Sequence, residues 1–422
     1  MDECKKLDSC RICGNKDLKV VFDLGVHSLA GRFPRKNEAD PMKAPLVLVR
    51  CDDEVNKDAC GLLQLQHRVA PDELYKHEYG YFSGISKTMV DHLSGLVDQI
   101  IKRNIVRDGD LVVDIGSNDA TMLKMYSNKL ERIGIDPTGE QFKNYYPADI
   151  KLCADYFTKE TFNKISNRKA KVITSIACFY DLPDPVGFAR DIKACLDPDG
   201  IWVFEQSYMP FMLKTKSMDA VCNEHLEFYS LKAIKYILDK AGMKIIDVNF
   251  NDCNGGSFRI TATHAENSMK PEVKVSRLLA KERKAGLDTN KPYMAFVDNS
   301  EKVKKKISEY LSKAKAKGKS IYIYGASTKG NTLLQYCGIG SDIVTAAAER
   351  NPEKYGRRTP GTNIPIISEA EARAAKPDYF IVLPWHFKEE IIQREKEYLL
   401  AGGKLIFPLP KFKVISKRIL SK

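Results

Sequence analysis

The chain lacks the features that would place it in several large classes of protein. No apolar run approaches the ~20 residues that a membrane-crossing helix needs; the longest are of strand size. The N-terminal MDECKKLDSC has no apolar core of the kind a secretory signal carries, so a cytoplasmic protein is expected. Eleven cysteines in 422 residues are too few and too scattered for a disulfide framework. Histidine is scarce, at seven, which makes a histidine inside a patterned segment informative. The three-glycine turn of dinucleotide binding, G-x-G-x-x-G, is missing, and so is an N-P-P-Y-like signature for methylating nucleic-acid bases.

What is present suffices for packed cores. The hydrophobic fraction is 43%, and the length predicts two or three domains. The net charge of +12 comes from lysines scattered over predicted helix faces. Glu301 to Lys319, EKVKKKISEYLSKAKAKGK, reads as a solvated amphipathic helix whose buried stripe is Ile307, Tyr310 and Leu311. A phosphate-bearing small substrate explains basic surface as economically as a polymer does.

The most informative segment is LVVDIGSNDATML, Leu111 to Leu123, followed by RIGIDP, Arg132 to Pro137. It reads as a strand, a tight glycine turn, a helix start and a second strand ending in an acid. Asp136 falls 20 residues after Gly116, the spacing at which a carboxylate accepts hydrogen bonds from a ribose diol. A pyrophosphate needs bare backbone N–H groups at a helix N-terminus. Here the turn is polar and acidic, with Ser117, Asn118 and Asp119 after Gly116. That suits a cationic adenosyl ligand with an amino-acid tail, S-adenosylmethionine (SAM). Asp114, Gly116, Asn118, Asp119 and Asp136 are its candidate contacts.

Cys10-Arg-Ile-Cys13-Gly14 is a metal knuckle, and Cys51 and Cys60 form a second, wider pair separated by DDEVNKDA. Four thiolates would hold a structural zinc ion with no open position. The alternative is that one of the second pair is a core cysteine and that His67, or nothing, completes the site. Strands are expected at 111–116, 132–136, 171–177, 201–205, 243–250 and 257–263, with helices between them, such as 187–196 and 231–241. Gly242 should cap the second of these helices. The last two strands, joined by NDCNGG, form an antiparallel hairpin at the edge of an otherwise parallel sheet. A second α/β pattern starts at Ser320, with strands in SIYIYGAS, DYFIVLPWHF and KLIFPLP and a helix in KGNTLLQYCG. The expected fold class is therefore α/β. A zinc-binding module spans 1–70, a Rossmann-like SAM-methyltransferase domain 71–265, and a second Rossmann-like domain, for substrate, 266–422.

In three blocks and in order, the chain resembles the sugar C-methyltransferases that act on nucleotide-linked 4-keto deoxysugars. The blocks are the CxxCG knuckle with CGLLQL; IGSNDATML, FEQSYM, NEHLEFYSL and NGGSFRI; and YGASTKGNTLLQYCGI, RNPEKYGRRTPGTNIPI and LPWHFKEEI. The resemblance implies that His225 is the base that removes a proton beside the ketone, with Glu224 as its acidic neighbour. It places Tyr79 or Tyr81 against the substrate, Asp155 near adenine, and Lys329, Asn331, Trp385 and His386 in the sugar-nucleotide loops. Two positions depart from the family pattern. Cys222 stands where a tyrosine is usual, which removes a hydroxyl from the expected site. Ala120 stands where glycine is frequent, and alanine suits the first turn of the expected helix.

Methylating carbon from a sulfonium needs an enolate, hence a base and a donor for the enolate oxygen. Tyr208, Tyr81 and Tyr229 are candidate donors, and Tyr208 is also a candidate substrate contact. The expected partner is a nucleotide sugar, with no membrane, in a monomer or homodimer. Two other readings compete. A nucleic-acid methyltransferase would use the zinc knuckle and basic helix, but no aromatic-interleaved basic stripe is visible. A non-catalytic homologue would bind SAM and sugar nucleotide without turnover, which Cys222 leaves open.

Overall fold

The computed structural model describes residues 4–75 and 82–420, in three sheets plus one short two-stranded ribbon. The middle sheet has seven strands. Their spatial order is Met243–Asn251, Ser257–His264, Leu196–Ser207, Ala170–Ile176, Leu111–Ile115, Glu131–Ile135 and Ile150–Cys153. The last five are parallel, and Ser257–His264 runs antiparallel to both of its neighbours. Leu111–Ile115 is buried at every position, as a β-branched run covered on both faces should be. Helices close it above and below. Lys87–Ile101 packs Leu93, Leu96 and Val97 against Val112, Val172, Ile201 and Val203. Pro185–Cys195 and Leu231–Lys240 cover the opposite face, which carries Trp202 and Phe204.

Local chemistry sets the ends of these helices. Ser230 accepts from the Ala233 amide and so caps Leu231–Lys240, which terminates before Gly242 at φ +68°. In the third sheet, Ser327 caps the helix Thr328–Cys337 through the Gly330 amide. That sheet orders its strands as Ile366–Ser368, Ala347–Glu349, Ile321–Tyr324, Tyr379–Val382, Lys404–Phe407 and Lys413–Ile415, of which only the last is antiparallel. The basic helix Lys291–Ala316 buries Ile307 and Leu311 fully and Tyr310 in part.

Several expectations need correction. The first 70 residues hold a true sheet, in the order Glu227–Phe228, Leu63–Leu65, Lys43–Cys51, Leu18–Ser28. Its edge strand, Glu227–Phe228, arrives from the middle of the chain. The strands Ile150–Cys153 and Lys413–Ile415 were missed because both are short and both are mostly exposed or half-buried. No α-helix starts after Gly116. The segment is a series of turns ending in one 3-10 turn, Leu123–Met125. The physical reason lies in the backbone: Asn118 and Ala120 sit at φ +49° and +61°, outside helical space. Ala120 therefore occupies a left-handed position that glycine would adopt more easily, rather than a first helical turn.

Candidate active site

The carboxyl ends of the middle sheet open into a cleft of about 1370 Å³. One small ligand fills roughly 300–1,000 Å³, so the space accommodates two. One wall is the turn after Leu111–Ile115. Gly116 lies at φ +71°, a left-handed conformation that favours glycine, and a Cβ there would sit 3.4 Å from the Cys178 sulfur, in close contact. Asp136 Oδ2 accepts the Asn118 amide at 2.8 Å, while Oδ1 accepts the amide and hydroxyl of Thr138 at 2.7 and 2.6 Å. These bonds hold the side chain rigidly at the cleft. Asp114 is buried beneath it, and Thr174 donates to it at 2.6 Å. Burial chiefly pushes the Asp114 carboxyl up to about 7, the Thr174 bond lowers it, and the Asp136 charge adds to the rise.

The facing wall is the loop before Glu227. His225 Nδ1 lies 2.9 Å from the Ala220 carbonyl. A carbonyl only accepts, so Nδ1 carries the proton and Nε2 keeps its lone pair. The imidazole meets the Tyr180 ring edge-on at 4.5 Å. Burial first, then the Lys329 charge, pulls its pKa down to about 4, against the raising effect of the Ala220 carbonyl. The ring is therefore neutral at pH 7. Next to it, Glu224 Oε1 accepts the Gly31 amide at 2.8 Å, and burial raises its carboxyl above the ordinary range. Cys222 also lines the cleft, its thiol pushed well up by burial.

The third wall is basic and comes from both flanking sheets: Arg32, Arg68, Lys329, Lys354 and Arg357. Lys354 Nζ donates to the Ala326 carbonyl at 2.9 Å and stands 4.2 Å above the Phe33 ring. Beside the cleft is a much smaller cavity, lined by Tyr208, Lys329, Trp385 and His386 among others. Trp385 Nε1 donates to Asp219 Oδ2 at 2.8 Å, and burial, aided by Lys329, takes His386 down to about 4.

Of the residues singled out in the sequence, the structure brings Asp114, Gly116, Asn118, Asp136, Glu224, His225 and Lys329 to one cleft. Others point elsewhere. Asp119 does not line it: Oδ2 accepts the Gly84 amide and Oδ1 the Thr121 hydroxyl, so this acid pins the Ser83–Ile85 turn. Asp155 is exposed and accepts the amide of Tyr156, while Tyr156, Phe157 and Thr158 line the wall in its place. Asn331 is fully buried and donates to the Ala30 carbonyl at 2.7 Å, binding the N-terminal sheet to the third one. The Tyr208 hydroxyl is committed to Glu282 at 2.8 Å. Tyr79 and Tyr81 lie outside the described residues.

The sequence reading missed Gln206, Arg32 and Arg68 at the cleft, and it quoted RNPEKYGRR without giving Lys354 or Arg357 a role. The available signal was positional: Gln206 ends a central strand, where open α/β sheets place ligands.

The four knuckle thiols converge. Cys10 and Cys60 sulfurs are 3.5 Å apart, those of Cys13 and Cys51 are 3.4 Å apart, and all four lie within 4.8 Å of one another. A tetrahedral zinc with ~2.3 Å bonds sets its sulfurs about 3.8 Å apart, so the donor set fits zinc. His67 is not part of the group.

Comparison with known proteins agrees with this architecture. Residues 10–75 match the family model of a putative zinc binding domain, 89–248 that of a methyltransferase domain, and 252–410 that of a C-methyltransferase C-terminal domain. C-methyltransferase NovU of Streptomyces niveus is 32% identical over 420 residues, covering 98% of each chain. Among solved structures, a S-adenosylmethionine-dependent methyltransferase from Clostridium acetobutylicum ATCC 824 overlays on 42% of this chain and 92% of its own, at 12% identity and TM-score 0.34. Magnesium protoporphyrin IX methyltransferase from Synechocystis PCC 6803 overlays on 42% and 82%, at 10% identity and TM-score 0.32. Scores this low carry no functional weight. The relative matched end to end and the three family models in sequence do: the chain belongs to the C-methyltransferase family and is a SAM-dependent, zinc-binding methyltransferase.

Proposed function

We propose that the chain methylates the carbon beside the ketone of a nucleoside-diphosphate keto-deoxysugar, with His225 as the base. The observation that carries this reading is the locked tautomer of His225: Nδ1–H is held by the Ala220 carbonyl, which leaves Nε2 as the basic nitrogen of a residue that lines the same cleft as Asp136 and Gly116. SAM, when bound, supplies an electrophilic methyl and leaves as the neutral thioether. Asp136 and the Gly116 turn would hold its ribose, Asp114 would lie beneath, and Tyr156 and Phe157 would flank the adenine in place of Asp155. Nε2 of His225 takes the proton from the α-carbon. The C–H electron pair becomes the enolate double bond, and charge moves to the keto oxygen. Lys329, with Arg32, Lys354 and Arg357, supports a diphosphate at the opposite wall. Asn331 and Trp385 position this wall through the Ala30 and Asp219 contacts, and Glu224 braces the His225 loop against Gly31.

The test is mass spectrometry of products from purified protein, SAM and a panel of nucleotide-linked keto sugars. A gain of one CH2 that survives hydrolysis as a C–methyl group supports the reading. SAM binding without transfer to any keto sugar contradicts it. The relative matched over nearly its full length, C-methyltransferase NovU, favours carbon as the acceptor.

A further inference from the structure

Gln206 is 1% exposed, and neither its Nε2 nor its Oε1 has a hydrogen-bond partner among the described residues. It lines the main cleft at the carboxyl end of the Leu196–Ser207 strand. A buried amide left in this state is costly to the fold, and such groups call for a specific explanation. Its neighbour Glu205 shows the contrast: it accepts from His92 at 2.6 Å and from Arg259 at 2.8 Å, and so is fully engaged within the protein.

Strand alternation fixes the direction of Gln206. Ile201 and Val203 pack with Leu93 and Leu96, and Glu205 continues that face to His92 on the same helix. Trp202 and Phe204 face the other way, into the cluster of Phe179 and Tyr229. Gln206 continues this second face. Here the Tyr180 carbonyl accepts the Leu226 amide at 2.9 Å, and the Tyr180 ring touches His225. Gln206 and the base thus share one side of the cleft.

We propose that Gln206 is a catalytic residue that contacts the substrate: its Nε2–H donates to the keto oxygen and holds the charge that appears there when His225 removes the α-proton, while Oε1 accepts from an adjacent sugar hydroxyl. This rests on the functional reading above. An uncharged donor fixed in a water-poor site is the kind of group that stabilises an oxyanion. Of the hydroxyls weighed for this task, that of Tyr208 is spent on Glu282. The Cys222 thiol beside the base is a weaker donor than an amide.

The test separates enolisation from transfer. Wild type, Gln206→Met and Gln206→Glu are compared for deuterium exchange at the sugar α-carbon in D2O with S-adenosylhomocysteine present, for methyl transfer, for SAM affinity and for thermal stability. Gln206→Met keeps the shape and removes both unpaired groups, so it should melt no lower than wild type. Exchange and kcat should fall together by roughly 10²–10³-fold, the usual loss of one oxyanion donor, with SAM affinity unchanged. Gln206→Glu should be at least as slow, because an ionised carboxylate offers no proton. A Gln206→Met variant that exchanges and methylates at the wild-type rate overturns the proposal, as does one that melts lower and loses SAM affinity, which marks a structural role. Wild type that methylates the sugar at oxygen, without α-exchange, overturns the underlying functional reading and this proposal with it.

Discussion

At position 225 a single hydrogen bond does more than the identity of the side chain. The Ala220 carbonyl selects the tautomer, burial and Lys329 keep the ring neutral, and the residue lines the cleft. His225→Ala should abolish transfer while leaving SAM affinity within a few-fold, as measured by calorimetry beside a turnover assay. The pH dependence has a definite sign. A ring whose pKa falls from 6.5 to about 4 remains an unprotonated base down to that value, so the acid limb of kcat/KM should break near 4 rather than 6.5. The same depression lowers stability as pH drops. The unfolded chain takes up protons at 6.5 that the folded one refuses until about 4, so the melting temperature should decline across that window, and less steeply in His225→Ala. The sequence made His225 visible because histidine is scarce and its flanking pattern is distinctive. It could not reveal that Asp119 and Asp155 turn away. All three are polar loop acids that accept backbone amides, and only the three-dimensional course of each loop decides that Asp136 lines the cleft while the other two do not.

Among elements, the strand Glu227–Phe228 begins two residues after His225 and pairs with Gln64 and Leu63. Arg11, inside the cysteine knuckle, joins the same junction. Its guanidinium donates to the Leu65 carbonyl at 2.6 Å, reaches the Leu226 carbonyl at 3.5 Å and lies 3.5 Å from the buried Glu227 carboxylate. Arg11→Met would leave that acid buried without its cation, a loss of about 3–5 kcal/mol. Urea unfolding should show it, and the double change Arg11→Met with Glu227→Met should recover most of the loss. Equal stability of the single variant and wild type would refute the coupling. The main strands and the terminal hairpin of the middle sheet were legible because a covered parallel sheet writes near-continuous apolar runs. The Glu227–Phe228 pairing was not, because a two-residue strand has no period and its partner is remote in sequence.

On the scale of the whole molecule, one cleft is lined from all three parts of the chain, and its basic side is built jointly by residues of the N-terminal module and of the C-terminal domain. The knuckle spacing disclosed the four thiols that converge, yet not how far the module reaches: Ser28, Ala30 and Pro34 all bond to residues beyond 330. Cys13→Ser should therefore release zinc and yield an aggregating protein, checked by metal analysis and size-exclusion chromatography. A monodisperse, zinc-free variant would contradict a structural ion.

The late arrival of the Glu227–Phe228 strand bears on how the polypeptide matures. During synthesis the metal-clamped sheet emerges with a naked edge, whose unmet amides and carbonyls invite wrong partners until the ribosome has made the piece that seals it. Chimeras exchanging zinc modules between relatives would therefore need to carry residues 222–229 along with the donor module, because the seam between the two parents would otherwise run through the junction beside His225.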